Sequence, residues 1–312
     1  GFWLVFEALV QAYGSGYDGY GRWRSFSGDP RPVFTMICAL TAVSLVCFIT
    51  ESVVLGYVPL LLRGVPHAYS EFHLTGIHYF TVSCVLVPSL TVLYIHMRNG
   101  RGSEKLLIAS LVMAGISLLI PILCVSRFQL VFAVLLAAFT YISLQKLFHP
   151  GWLLGLFVVL LPFYLILTVA RSHNIEYLNG IFEMKRASMP IFISQPYIYI
   201  ANNYDNFNCM VEALPGHSFG LKGLFPLWAL SGLKFFFPQL INFPIYVDKT
   251  ELTTLTLFYD SYYDFGWIGV LLFSCILGAI AYILVGKLRE MRNPLGYLLY
   301  AQFAAYLMLS FF

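Results

Sequence analysis

The sequence predicts an all-α polytopic membrane protein, and three observations carry that expectation. Apolar residues make up 59% of the 312-residue chain against 11% charged, and mean hydropathy is +0.78, a balance that a water-soluble domain of this size does not sustain. Apolar runs approaching the roughly 20 residues that a bilayer-crossing helix needs recur along the chain. Lys and Arg gather in the short connections between those runs. The net charge of +3 is too small to point to nucleic acid. Of the six cysteines, Cys38, Cys47, Cys84, Cys124 and Cys275 fall in apolar segments and only Cys209 stands in a long mixed stretch. Neither a disulfide framework nor a metal-ligand spacing follows from that distribution.

Gly1 to Tyr13 is apolar but short for a span, so it reads as the end of a helix that starts upstream, and the chain stops within an apolar run at Phe311-Phe312. Both ends therefore look truncated. Tyr17 to Pro32 is a polar loop with Arg22, Arg24 and Arg31, and Pro32 to Gly56 is a span interrupted only by Glu51 near its outer end. Glu51 fits either a hydrogen-bonded helix-end carboxylate or a functional intramembrane one. Two prolines and two glycines within Gly56 to Pro66 prevent a straight helix, so this stretch is expected to be a loop or re-entrant turn at the interface. It leads through Tyr69, Glu71, Phe72 and His73 into a span over Gly76 to Ile95.

An Asn99-Gly100 turn lies in the basic loop His96 to Lys105. Spans over Leu106 to Val125 and Phe128 to Leu144 are separated only by Ser126-Arg127, which makes them an antiparallel hairpin. Gly151 to Ala170 is expected to span again, then Trp267 to Val285, and last Pro294 to Phe312. Within the intervening stretch, Leu221 to Ile241 is broken at Pro226 and Pro238 and carries Lys222 and Lys234, so it reads as two short interfacial helices. The expected domain organisation is residues 1–170 as transmembrane helices with short loops, 171–264 as a large loop domain, and 265–312 as the C-terminal transmembrane helices.

Alternating the spans puts Tyr17 to Pro32, His96 to Lys105, Lys146 to Pro150 and Lys287 to Arg292 on one side, with ten of the eighteen basic residues. By the positive-inside rule that side is the cytoplasm. The turn after Gly56, the tip at Ser126-Arg127 and the whole Arg171 to Asp264 loop then share the outer face. Basic residues there run against the bias and ask for anionic ligands. Arg63, Arg127 and Arg171 each abut a span, and Lys185-Arg186 lies in the loop. Lipid phosphate would satisfy any one of these arginines. Three arginines together at one level favour a bound polyphosphate, whose oxygens a guanidinium grips with two parallel hydrogen bonds.

The run Pro196 to Asn208 alternates rings with amides and a carboxylate, and Tyr197, Tyr199, Asn202, Asn203, Tyr204 and Asp205 form a set that suits sugars, which offer hydroxyls and apolar C–H faces. An interfacial tyrosine belt is the competing reading.

Three groups of residues resemble the bacterial oligosaccharide repeat-unit polymerases, the Wzy-type O-antigen and capsule polymerases. They are Gly56-x-x-Pro59-Leu60 followed by Tyr69 to Phe72 and Gly76-Ile77-His78; Ser126-Arg127 opening a span, similar to the pattern shared with O-antigen ligases; and Thr253-Thr254 through Tyr263-Asp264-Phe265-Gly266-x-x-Gly269. The resemblance covers the chain from about Val33 onward. It implies a GT-C-like helical bundle with a large partly helical extracytoplasmic loop in a bacterial plasma membrane. It also implies inverting, metal-independent transfer of a glycan from undecaprenyl diphosphate to a sugar hydroxyl on an incoming lipid-linked repeat, with no cofactor. A chain-length regulator and a lipid-linked-oligosaccharide flippase are the partners it suggests.

The related ligases place a His near the end of the outer loop, where this chain has threonines, so the base stays open among His217, Glu251, Asp260 and Asp264, with His173 and His67 as further candidates. Asp264 also fits a cap or an interface carboxylate. A ligase-type lipid-diphosphate glycan transferase shares the arginine logic and differs in acceptor. A carrier of polyprenyl-linked oligosaccharide would instead show internal repeats and helices broken at mid-membrane.

Overall fold

The computed structural model describes residues 1–14, 28–62, 71–98, 103–144, 151, 154–155, 158, 162, 175–240, 242–250, 252–288 and 293–310. Among these residues every regular element is helical: α1 (Phe2–Tyr13), α2 (Arg31–Leu55), α3 (Ile77–Val82), α4 (Val87–Arg98), α5 (Glu104–Leu123), α6 (Arg127–Leu144), α7 (Ile175–Ile181), α8 (Ile191–Ala213), α9 (Phe225–Leu230), α10 (Tyr259–Leu288) and α11 (Gly296–Met308). Five stretches are long and apolar enough to cross a membrane: α2, α3 and α4 together, α5, α6, and α10 as far as Gly286. The chain is a multi-pass membrane protein. The span expected over Gly151 to Ala170 and the basic loops at 146–150 and 289–292 fall largely or wholly outside the described residues.

The chain forms two compact units: Arg22–Asn174 with Leu288–Leu307, and Gly1–Gly21 with Ile175–Lys287 and Met308–Phe312. Within the first, α2 ends where Gly56 turns left-handed (φ 79°), and its N–H closes the helix on the Ser52 carbonyl. Pro59–Leu61 follows as a single 3-10 turn. The span expected over Gly76 to Ile95 is divided by a 3-10 turn at Ser83–Leu86. Pro88 supplies the reason. It has no N–H to return to the turn before it and its ring crowds the carbonyl four residues back, so the chain tightens there.

Val33 and Ile37 of α2, Leu90, Leu93 and Tyr94 of α4, and Tyr297 of α11 share one apolar cluster, and Phe48, Phe72, Cys84, Ile120 and Cys124 share another. Small hydroxyl pairs stitch these helices between the clusters: Thr41 with Ser117 at 3.3 Å, Ser44 with Ser83 at 3.0 Å, and Ser89 with Thr140 at 2.6 Å. Such pairs let apolar helices approach closely and satisfy one another where no water is present. The hairpin tip between α5 and α6 closes through Val125 N–H to Ile122 O and Ser126 N–H to Pro121 O. This is a Schellman arrangement, and Val125 takes its left-handed position (φ 54°), which normally belongs to glycine.

In the second unit, α1 runs against α10, with the Phe6 ring 6.3 Å from Tyr282 and the Tyr282 hydroxyl donating to Gly14 O. The helix expected to begin at Trp267 begins at Tyr259 and bends at Gly266 (φ 61°, ψ −147°). The added two turns are held because the Tyr259 hydroxyl accepts from Tyr246 N–H (2.8 Å) and donates to Tyr246 O (3.2 Å). A Cβ on Gly269 would drive into the Ser261 carbonyl, so the Gly266-x-x-Gly269 spacing combines a bend with a close approach. The stretch expected as two interfacial helices is α9 followed by 3-10 turns at Leu233–Phe235 and Pro238–Leu240. Leu230, Phe235 and Phe236 on it, and Phe219 just before it, are each more than three-quarters exposed, an apolar surface suited to lipid.

Candidate functional site

A cavity of about 520 Å³ opens in the second unit between the end of α7, the face of α8 and the Asp248-Lys249 segment. Its walls follow from local hydrogen bonding. Helix α7 ends in another Schellman arrangement, Glu183 N–H to Gly180 O and Met184 N–H to Asn179 O, with Glu183 in the left-handed position (φ 51°). The Asn179 amide then donates to Ala187 O and Met189 O at 2.7 and 2.8 Å, folding the turn back on itself.

On the opposite wall, the Asn206 amide donates to Leu252 O and Thr254 O, both at 2.8 Å, while its carbonyl accepts from Asp248 N–H at 2.9 Å. Asn202 adds a fourth bond, to Leu252 O at 2.9 Å. The asparagines of the amide-rich run therefore stand in for backbone and fasten an extended segment to α8. That use of buried polar groups explains why so polar a helix has a buried face.

The cavity brings together four residues that the sequence marks for ligand contact: Lys185, Tyr197, Asn202 and Asp205. It adds Glu183, Asp248 and Lys249, beside an apolar floor that includes Phe182, Ile198 and Ala201. Lys249 is tied in place, its ammonium 2.8 Å from the Glu183 carboxylate and donating to Ile181 O at 3.0 Å. Rings, an amide, carboxylates and ammonium groups thus face one space. Of the other residues in the expected sugar set, Tyr204 is exposed, Tyr199 half-buried and Asn203 buried on α8. Arg186 is exposed on the same turn as Lys185.

Asp264 lies elsewhere in this unit and is buried. Its carboxylate accepts from the Ser218 hydroxyl, from Lys222 N–H at 3.1 Å and from Gly223 N–H at 2.7 Å, so it clamps the 218–223 loop onto α10. Asp260 sits 3.5 Å from the Lys222 ammonium, which also lies 4.9 Å from the Tyr263 ring centroid and 5.6 Å from that of Tyr259. His217 is exposed, with Nδ1 3.4 Å from Tyr263 O, and its ring covers Gly266. Asp264 and Asp260 are thus engaged by the 218–223 loop, while His217, just before that loop, packs on α10 at the bend.

Arg127 is buried at the first position of α6, directly after the strained Val125 turn. A β-branched residue held left-handed costs about 1–3 kcal/mol, and such strain persists where surrounding packing fixes a useful geometry. Arg63, His67, Arg171, His173 and Glu251 lie outside the described residues. Among the described residues no three His, Cys, Asp or Glu side chains are grouped to hold a metal ion.

Glu183, Asp248 and Lys249 escaped the sequence reading because they reach the cavity from segments far from the Tyr and Asn run. The one signal available was Asp248-Lys249, an adjacent charged pair in an otherwise weakly charged stretch. Compared with known proteins, the chain matches no family model, no curated protein and no solved structure.

Proposed function

We propose that the protein lengthens oligosaccharides carried on a polyprenyl diphosphate, transferring the growing glycan from its lipid diphosphate to a hydroxyl of the next lipid-linked repeat with inversion at the transferred carbon. The observation that carries this reading is the cavity. At about 520 Å³ it falls within the ~300–1,000 Å³ of small-molecule sites. Tyr197 offers an apolar ring for a sugar's C–H face, while Asn202, Asp205 and Lys249 offer donors and acceptors for its hydroxyls. A lipid tail needs a bilayer, and the five candidate spans agree with that.

In the reaction, the acceptor oxygen bonds to the anomeric carbon as the bond to the diphosphate oxygen breaks, and the polyprenyl diphosphate leaves with the electron pair. A guanidinium beside that oxygen stabilises the charge as it develops. Within the first unit, Arg127, set by the Val125 turn, carries such a guanidinium. The GT-C-like arrangement, the outward-facing site and the bacterial plasma membrane belong to this same proposal.

The test of the cavity's part is Tyr197→Ala and Asp205→Asn in purified protein supplied with lipid-diphosphate oligosaccharide. Both substitutions are on exposed positions of α8, and each should raise the KM for oligosaccharide several-fold with folding intact. Unchanged KM in both would remove the cavity from the reading.

A further inference from the structure

The first unit contains a polar cluster that none of the preceding chemistry uses. Glu51, four residues before the end of α2, is fully buried. Its Oε1 accepts from Leu74 N–H at 2.9 Å and lies 3.1 Å from His78 Nδ1; its Oε2 accepts from the Thr81 hydroxyl at 2.7 Å. A carboxylate removed from water costs several kcal/mol unless its oxygens are engaged, and here three separate donors engage them. Thr81 and the Leu74 backbone would suffice for a structural carboxylate. The imidazole is the additional element, and unlike Glu51 it is not sealed in, because its side chain is 30% exposed.

We infer that His78 is the proton acceptor for the attacking sugar hydroxyl and that Glu51 is its positioning residue. The inference rests on the polymerase reading and supplies the base that reading lacks. With Nδ1 committed to Glu51, Nε2 is the nitrogen left for an outside proton. A carboxylate on Nδ1–H fixes both the tautomer and the ring plane, and stabilises the imidazolium that forms. In the transfer step the hydroxyl proton passes to His78 Nε2 as the new glycosidic bond forms. The polyprenyl diphosphate departs with the electrons of the old bond, and the imidazolium later releases its proton to water.

The location agrees with this role. Glu51 near the end of α2, His78 at the start of α3, the Cys124 cap of α5 and Arg127 at the start of α6 lie at the same end of this unit's bundle, where Phe48 and Phe72 pack with Cys124. Arg127 thus shares an end with the dyad. Among the described residues, the titratable groups placed near the dyad are His73, whose ring is 6.3 Å from that of His78, and the thiol of Cys124, which lies near Glu51 and Cys84.

The experiment uses full-length protein in nanodiscs with a lipid-diphosphate oligosaccharide as substrate. For wild type, kcat/KM for elongation should fall on the acid side with one ionisation. His78→Gln should lower the rate by a factor on the order of 100 or more and abolish that acid limb, while binding of labelled lipid diphosphate stays within about twofold. Added imidazole should restore part of the rate to His78→Ala. Glu51→Leu removes both acceptor oxygens, and ¹⁵N NMR of its His78 should show loss of the Nδ1–H tautomer that the wild-type protein holds. If wild type elongates and His78→Gln elongates equally fast with the same pH profile, the inference fails and the polymerase reading stands. A wild-type Nε2–H tautomer would also overturn it. If folded wild type does not elongate, the reading itself fails and takes the inference with it.

Discussion

Asp264 Oδ2 accepts a hydrogen bond from Gly223 N–H at 2.7 Å, and a Cβ placed on Gly223 would stand 2.7 Å from that same oxygen. One carboxylate therefore holds a loop that only glycine lets come so close. Asp264→Ala leaves three donors without their acceptor in a buried place and should cost about 3 kcal/mol. Gly223→Ala should weaken the same clamp by pushing the carboxylate aside. Thermal unfolding followed by tryptophan fluorescence in detergent checks both, and a melting temperature unchanged in both variants would contradict the clamp.

The bend at Gly266 is the next test. Its φ of 61° with ψ of −147° is a region essentially reserved for glycine, and forcing another residue there costs about 1–3 kcal/mol. A Cβ would also meet His217 Nε2 at 2.9 Å. Gly266→Ala should therefore lower thermal stability through both effects. Adding His217→Ala removes the contact but not the backbone strain, so the double variant should regain only part of the loss. Full recovery would show that the backbone contributes nothing.

Much of the membrane part was legible because apolar runs with few charges leave little choice. Arg31–Leu55, Glu104–Leu123 and Arg127–Leu144 fall within a few residues of the expected spans. The 3-10 break at Ser83–Leu86 was harder to read, since Pro88 tightens the turn before it while overall hydropathy stays high. Helix α8 was not legible. Its tyrosines and asparagines are weak helix formers and Pro196 sits inside it, so the helix depends on tertiary bonds such as Asn206 to Leu252 O. The site divided similarly: Tyr197, Asn202 and Asp205 stood out as a run, whereas Glu183 and Lys249 meet them only after folding. His78 was visible only as a motif residue, and nothing in the sequence paired it with Glu51.

Cys209 provides a chemical check on the packing of α8. Burial, and then the negative charges of Asp248, Glu212 and Asp205, push its thiol above the ordinary cysteine range. The thiolate is the reactive form, so alkylation at pH 7 should be slower than for a free cysteine and should accelerate only above that range. Asp248→Asn removes one of those charges and should shift the rate profile toward lower pH. A wild-type profile matching that of a free thiol would contradict the arrangement.

Orientation can be read by labelling in a background without native cysteines. Tyr204 and Asn293 are both exposed. If the basic short loops face the cytoplasm, Tyr204→Cys should react with an impermeant thiol reagent in intact cells, and Asn293→Cys only after permeabilisation. The reverse pattern would place the α8 cavity inside and contradict an outward-facing reaction.

The most direct measurement of the central claim is the product balance of purified protein given a lipid-diphosphate oligosaccharide as its only substrate. Transfer between lipid-linked repeats predicts a ladder of longer lipid-linked glycans, with one polyprenyl diphosphate released for each bond made. A ligase would leave the substrate unextended until a second kind of acceptor was added, and a carrier would consume none. Folded protein that produces neither ladder nor released lipid diphosphate from its correct repeat unit would contradict the account.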